Sequence, residues 1–240
     1  MATDNDVRMN GGGSVGGGSY DNVTINGTGV LNGDLTAANV RINGSASARG
    51  DVSAEAIVVN GTAEFKGSVS ARVLDASGSA SVGGDLDAGK VHVKGSLSVA
   101  GGMKATDVIL HGMLEVAGDC QTETLIGDGA FDIGGLLNAG RVEVRIYGPC
   151  KARDIGCERI GVKPGRRVAW FRSWMDKRLT ADTIEGDAIV LEYTTANVVR
   201  GHDVRLGTGC DVALVEYSGT FVRADDAKVG EARKLQKAAS

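Results

Sequence analysis

The residues able to do acid–base, nucleophilic or metal chemistry are few and scattered. There are three histidines, His92, His111 and His202, and four cysteines, Cys120, Cys150, Cys157 and Cys210. A structural zinc site needs about four ligands with characteristic Cys/His spacing. No C-x-x-C pair occurs, and Cys150 with Cys157, which could meet across a corner, supply only two. His92 lies between Val91 and Val93 and points outward if those point inward. His111 precedes Gly112 at a corner, and His202 sits in Arg200-Gly201-His202-Asp203, which reads as a turn. The carboxylates Asp225 and Asp226 fall in a charged, solvated stretch. No P-loop, dinucleotide fingerprint or nucleophile elbow is present. The sequence therefore predicts no catalytic residue, no cofactor and no metal.

What these residues sit on is a repeat. From Asn26-Gly27 the same punctuation returns at Asn43-Gly44 and Asn60-Gly61, then as Ser77-Gly78, Lys94-Gly95, His111-Gly112 and Asp128-Gly129. A second glycine column follows at Gly33, Gly50, Gly67, Gly84, Gly101, Gly118 and Gly135. Apolar columns keep the same step: Val23, Val40, Ile57, Leu74, Val91, Val108, Leu125, Val142, and two residues on Ile25, Ile42, Val59, Ala76, Val93, Leu110. Leu35 with Ala37, Val52 with Ala54 and Val69 with Ala71 make another pair of columns. Ala63 with Phe65, Ala80 with Val82 and Leu97 with Val99 make a third. Cys120 falls on one of these columns and reads as a buried hydrophobe.

Apolar residues alternate with period two, in three bursts per repeat, so one face of each burst is buried. Hairpins give no reason for like residues to recur at a fixed step, whereas a stacked coil does. The prediction is an all-β parallel β-helix, a triangular solenoid of about 17 residues per coil with a rise of about 4.8 Å. A coil of 17 residues with about seven small inward side chains does not offset its own ordering entropy, so stability comes from stacking. Glycine at the corners is assigned to positive φ. Gly127 is assigned an inward site, where its missing volume compensates for the large Phe131.

The expected organisation is a flexible Gly-rich tail over 1–19, a first β-helix block over 20–148, an interrupting loop or short helix over 149–178, a second block over 179–227 and a charged tail over 228–240. The second block is read from Ala181, Val198 and Val215, and from Ile189 and Leu206, each 17 apart but out of phase with the first. Trp170, Phe171 and Trp174, beside Arg166 and Arg167, read as a segment packed over the solenoid side. The alternative is an aromatic–basic segment for a membrane surface or a partner.

Bulk composition fits. Aromatics are 4% and Gly 37 of 240 residues, as a narrow regular interior requires. The net charge of −4 gives no nucleic-acid footprint. Free cysteines, a polar N-terminus and no apolar run approaching about 18 residues predict a cytoplasmic chain without a membrane span. Val204 to Cys210 superficially matches the hexad of hexapeptide acyltransferases, whose coils hold about 18 residues built on sixes, not 17.

These strings resemble the bactofilin, or polymer-forming cytoskeletal, family, in its long cytoplasmic Gram-positive form. The resemblance rests on the Val-x-Ile-Asn-Gly-like series from Val23, on Gly33-Asp34, Gly50-Asp51 and Gly84-Asp85, and on three C-terminal strings. Those are Ile184-Glu185-Gly186-Asp187, Val198-Val199-Arg200-Gly201 and Val215-Glu216-Tyr217, with Leu191 to Ala196 beside them. It implies a right-handed β-helix that polymerises without nucleotide into scaffold filaments for cell shape, envelope assembly or motility. The partners it implies are copies of the chain itself and other scaffold or envelope proteins. Open coils also offer a physical route to assembly, because their unpaired backbone groups accept a further strand. The candidate ends are Val23 and Ile25, and Phe221 and Val222. A discrete soluble adaptor that docks a protein on its flank is the competing reading.

Overall fold

The computed structural model describes residues 5–165 and 177–235. Among these, all regular structure is β-strand. The strands pair in parallel as a β-solenoid, and they divide between two compact units, residues 1–118 and 119–240.

The first unit opens with β1 (Val7–Met9), β2 (Gly12–Ile25) and β3 (Thr28–Ile42). Short and long strands then alternate: β4 (Ser45–Ala48), β5 (Val52–Val59), β6 (Thr62–Phe65), β7 (Val69–Ala76), β8 (Ser79–Val82), β9 (Leu86–Val93), β10 (Ser96–Val99), β11 (Met103–Leu110) and β12 (Met113–Val116). The expected columns are the observed ones. Val23 pairs with Val40, Val40 with Ile57, Ile57 with Leu74, Leu74 with Val91 and Val91 with Val108. All are buried, as are Ala63 over Ala80 and Phe65 over Val82 in the short strands. From β3 on, each coil thus buries three pairs of side chains, and each layer rests on its copy 17 residues away.

The polar corners are laddered too. The Asn26 side-chain amide donates to Asn10 Oδ1 at 2.8 Å, Asn43 to Asn26 at 2.7 Å and Asn60 to Asn43 at 2.8 Å. At the second corner each carboxylate caps the next coil. Asp34 Oδ1 accepts the Asp51 N–H at 3.0 Å, Asp51 Oδ1 the Ser68 N–H at 2.8 Å and Asp85 Oδ1 the Gly102 N–H at 2.7 Å. These bonds explain the glycines differently from the expectation. In the first glycine column a Cβ on Gly44, Gly61, Gly78 or Gly95 would fall on the carbonyl oxygen of the glycine one coil earlier. In the second, a Cβ on Gly50, Gly67 or Gly101 would fall on the capping carboxylate. Close approach, not positive φ, excludes a side chain there. Of the two columns within this unit only Gly33 has a positive φ, 94°.

The second unit holds β13 (Cys120–Ile146), β14 (Cys150–Pro164), β15 (Leu179–Leu191), β16 (Thr194–Leu206), β17 (Asp211–Tyr217), β18 (Phe221–Arg223) and β19 (Lys228–Lys234). Its coils vary in length. Val142 pairs with Ile160, past a bulge between Ile133 and Leu136. Cys150 pairs with Leu179, Leu179 with Thr194, Thr195 with Asp211 and Asp211 with Lys228. The three C-terminal strings stack directly on one another: Ile184 on Val199 on Val215, and Glu185 on Arg200 on Glu216.

Several boundaries move. Residues 7–9 and 12–19 are strand rather than tail: β1 pairs with β2, and Gly12 with Thr28. Of the glycines in this coil, Gly17 is held by close approach, since its Cβ would fall on the Asp34 backbone, whereas a Cβ on Gly11, Gly12 or Gly16 would meet nothing; Gly11 in turn leaves no room for a Cβ on Gly27 above its carbonyl. Residues 150–164 are strand rather than interruption. Ile155, Ile160 and Val162 are buried, but β14 meets β13 at a longer step than 17, so a fixed ruler misses it. Residues 228–234 pair with β17 and are strand, although mostly exposed. The 17-residue pairs Ala181–Val198 and Ile189–Leu206 are not neighbours. Ala181 pairs with Ala196 and Ile189 with Val204, because this coil is shorter. Gly127 is half exposed, and the buried glycine of that stretch is Gly129. Trp170, Phe171 and Trp174 lie outside the described residues.

Candidate assembly surfaces

Among the described residues β1 pairs with β2 alone, and residues 12–20 of β2 pair with β3 alone. Among the described residues, no strand pairs with the outer edge of this first coil. Its inward residues lie on the apolar columns: Val7 on Val23, Met9 on Ile25, Val15 on Leu31 and Tyr20 on Ala37. The inner member of each pair is buried, Val23 and Ile25 at 0% exposure, whereas Val7, Met9, Val15 and Tyr20 are half-buried. Val23 and Ile25 are thus not at an edge, because β1 covers them. The Gly-rich composition of residues 11–18 hides the covering coil from a reading by hydropathy. The signal available was Asn10-Gly11, an early copy of the Asn-Gly corner offset by 16 instead of 17.

In the second unit β18 pairs with β16 alone and β19 with β17 alone among the described residues. Phe221 stacks on Val204 and lies 5.4 Å from the Tyr217 ring, and Val222 is 51% exposed. Both stand on β18, in the last coil of the described residues. This coil is charged. Glu231 and Arg233 pair at 2.6 Å, and Lys234 Nζ lies 5.9 Å from the centre of the Tyr217 ring. Residues 5–20, by contrast, carry only Asp6 and Arg8. Among the described residues, the edge of the first unit is apolar and unpaired, and that of the second is dressed with ions.

The groups that could do chemistry are occupied otherwise. Burial pushes the Cys120, Cys150 and Cys157 thiols up to about 12, far from a reactive thiolate, and raises Cys210 as well. No group of three or more His, Cys, Asp or Glu able to hold a metal occurs among the described residues. His202 lies in β16, not in a turn, and its Nδ1 is 2.9 Å from Ser218 Oγ. In a hydrolase triad Nε2 faces the serine and Nδ1 the carboxylate, so this contact is not that of a triad. The neighbouring Asp203 carboxylate is bonded to the Thr220 N–H and hydroxyl, which hold it below the usual carboxylate range, so it does not orient the imidazole. His92 Nδ1 lies 3.9 Å from Asp75, between coils.

A parallel β-solenoid with an open apolar edge and laddered corners defines a class of repeat protein whose distinctive surface is its ends. Residues 1–87 match the family model described as Bactofilin: Polymer-forming cytoskeletal. The chain is 39% identical over 105 residues to the uncharacterized protein YhbE of Bacillus subtilis strain 168, covering 43% of this chain and 44% of that one. It is 42% identical over 84 residues to the uncharacterized protein YhbF of the same strain, covering 35% and 34%. Each match spans less than half of the relative's length. No solved structure matches. No helix among the described residues is long and apolar enough to cross a membrane.

Proposed function

We propose that this chain is a non-enzymatic cytoplasmic scaffold whose copies assemble end to end, without nucleotide, into cytoskeletal filaments that support cell shape, envelope assembly or motility. The observation that carries the reading is the first coil, where Val7, Met9, Val15 and Tyr20 stand half-buried on a strand edge that no other described strand pairs. A strand edge with an apolar inner face is a template for another coil. A contact that does not close on itself extends into a filament. The polymer-forming description of the matched family supports the same reading. The partners it requires are further copies of the chain, with other scaffold or envelope proteins along the filament.

The test is electron microscopy and size-exclusion chromatography of the purified chain beside the Val7→Asp/Met9→Asp variant. Filaments and a void-volume peak are expected from the unmodified chain. The variant, with charge at the edge but its core columns intact, is expected to run as a small, folded species by circular dichroism. A sharp low-mass peak from the unmodified chain sinks the proposal and favours a discrete adaptor.

A further inference from the structure

In an Asn-Gly pair the side-chain amide and the next backbone nitrogen can react with one another, because glycine has no Cβ to hold them apart. The chain has five such pairs: Asn10-Gly11, Asn26-Gly27, Asn32-Gly33, Asn43-Gly44 and Asn60-Gly61. All five asparagines are exposed, so neither the dipeptide nor solvent access distinguishes them. Hydrogen bonding does. Four stand in the first corner, where the Asn26 side chain donates to Asn10, Asn43 to Asn26 and Asn60 to Asn43. The Gly44 and Gly61 N–H groups are engaged as well, donating to the Ile25 and Ile42 carbonyls at 3.3 Å.

Asn32-Gly33 stands in the second corner, outside that ladder. Among the described residues the Asn32 side chain has no hydrogen-bond partner. The strand register also skips Gly33 on both sides. Pairing with β2 passes from Asn32 to Leu35, and pairing with β4 and β5 passes from Leu31 to Leu35. Gly33 has a φ of 94°, outside the extended range of the strand around it. Both the amide and the nitrogen that attacks it therefore lie outside the bonds that fix Asn43-Gly44 and Asn60-Gly61. The same corner is seated closely on the first coil: a Cβ on Gly17 would lie 3.0 Å from the Gly33 carbonyl carbon and 2.6 Å from the Asp34 oxygen.

We propose that Asn32-Gly33 is a self-modification site, where Asn32 converts spontaneously to aspartate and isoaspartate, and that the product loosens the first coil. The Gly33 nitrogen gives up its proton and attacks Asn32 Cγ. A bond forms between that nitrogen and Cγ, the bond from Cγ to Nδ2 breaks, and Nδ2 leaves as ammonia. The five-membered succinimide is then opened by a solvent water. Cleavage between Cγ and the Gly33 nitrogen gives aspartate, and cleavage at the Asn32 backbone carbonyl gives isoaspartate. Either product places a second carboxylate two residues from Asp34. Isoaspartate also lengthens the backbone by one carbon where Gly33 and Asp34 lie against Gly17. The reaction needs neither a partner nor a filament, and it holds or fails independently of assembly.

Peptide mapping by mass spectrometry tests it, on the full chain held in mildly alkaline buffer, folded and in urea. In the folded chain Asn32 is expected to convert first, about tenfold or more ahead of Asn43, whose two amide bonds must open before it reacts. In urea the five sites are expected to react at similar rates, since each then has only its glycine neighbour. Asn32→Gln should remove the fast phase, because its ring needs one more atom. Asn43→Ala takes away the acceptor of the Asn60 amide and should speed conversion at Asn60 while leaving Asn32 unchanged. Equal rates in the folded chain, or any other Asn-Gly pair ahead of Asn32, overturn the site. An unchanged Asn60 rate in Asn43→Ala overturns the ladder as the cause of the order. Amide hydrogen exchange reads the consequence: residues 12–20 should exchange faster in the converted chain than in the fresh one, with β5 to β9 unaltered. Unaltered exchange over 12–20 after conversion overturns the loosening.

Discussion

The side-chain amide of Asn43 donates to Oδ1 of Asn26, one coil earlier, at 2.7 Å, while its own Oδ1 accepts from Asn60 at 2.8 Å. Asn43 is therefore the middle rung of a ladder, with donor and acceptor both in use. Asn43→Ala removes two hydrogen bonds at an exposed corner, where each contributes about 0.5–1.5 kcal/mol. The expected loss is about 1–2 kcal/mol, read from the urea midpoint of the full chain. Asn43→Asp should cost at least as much, because a carboxylate then faces the Asn26 oxygen without a donor. Equal stability of Asn43→Ala and the unmodified chain would show that the ladder is decorative.

The glycine column beside this ladder is a stronger constraint. A Cβ on Gly61 would overlap the Gly44 carbonyl oxygen, which accepts the Thr62 N–H at 2.9 Å. Relief requires the coils to part at a position where their backbones touch. Gly61→Ala is expected to cost about 3 kcal/mol or more, in the range of strain and overpacking in a close-packed interior. Gly16→Ala is the control: nothing lies within 4 Å of its added Cβ. It should leave the urea midpoint nearly unchanged.

Much of this was legible in the sequence. The columns from Val23 to Val108 are visible because the coils between them keep one length, so a fixed ruler finds the true neighbours. The ruler fails where coil length changes. Ala181 and Val198 are 17 apart by coincidence, while Ile184 and Val199, nearer in sequence, are the stacked pair. The first coil failed for another reason. Its inward residues Val7, Met9, Val15 and Tyr20 are diluted by glycine, and backbone packing of Gly27 on Gly11 leaves no hydropathy signal. Glu185, Arg200 and Glu216 stand in the C-terminal strings, but the register that makes them an ion-pair ladder depends on coils shorter than 17.

Burial of the thiols gives a pH dependence of definite sign. Cys120 and Cys150 are pushed from the ordinary 9.0 to about 12 by desolvation. Between about pH 9 and 12 the unfolded chain releases these protons and the folded chain keeps them, so the unfolded state binds fewer protons and stability falls as pH rises. Each thiol contributes a slope of up to about 1.4 kcal/mol per pH unit in that window and nothing below it. Cys120→Ala lowers stability at every pH by leaving a cavity, but should flatten the alkaline slope relative to the unmodified chain. Denaturant midpoints from pH 7 to 11 measure this. A parallel displacement with unchanged slope would contradict the desolvation argument. Thiol reagents should label both positions only on unfolding.

The second corner couples two residues from adjacent coils. Asp51 Oδ1 accepts the Ser68 N–H at 2.8 Å, and a Cβ on Gly67 would fall on that same oxygen. Gly67 is glycine partly so that Asp51 can cap the next coil. Asp51→Ala should cost about 1 kcal/mol through the lost charge-assisted bond and the backbone donor left to water. Gly67→Ala should cost more, because the new methyl also meets the Asp51 nitrogen at 2.9 Å. The two losses are not additive. Once the carboxylate is gone, the methyl has one fewer atom to displace, so the double variant should be more stable than the sum of single losses predicts, by about 0.5–1 kcal/mol. Urea denaturation of the four chains closes this cycle. Additivity within about 0.3 kcal/mol would mean that the glycine is held by backbone contact alone, and that the Gly-Asp pairing along the repeat reflects two independent constraints.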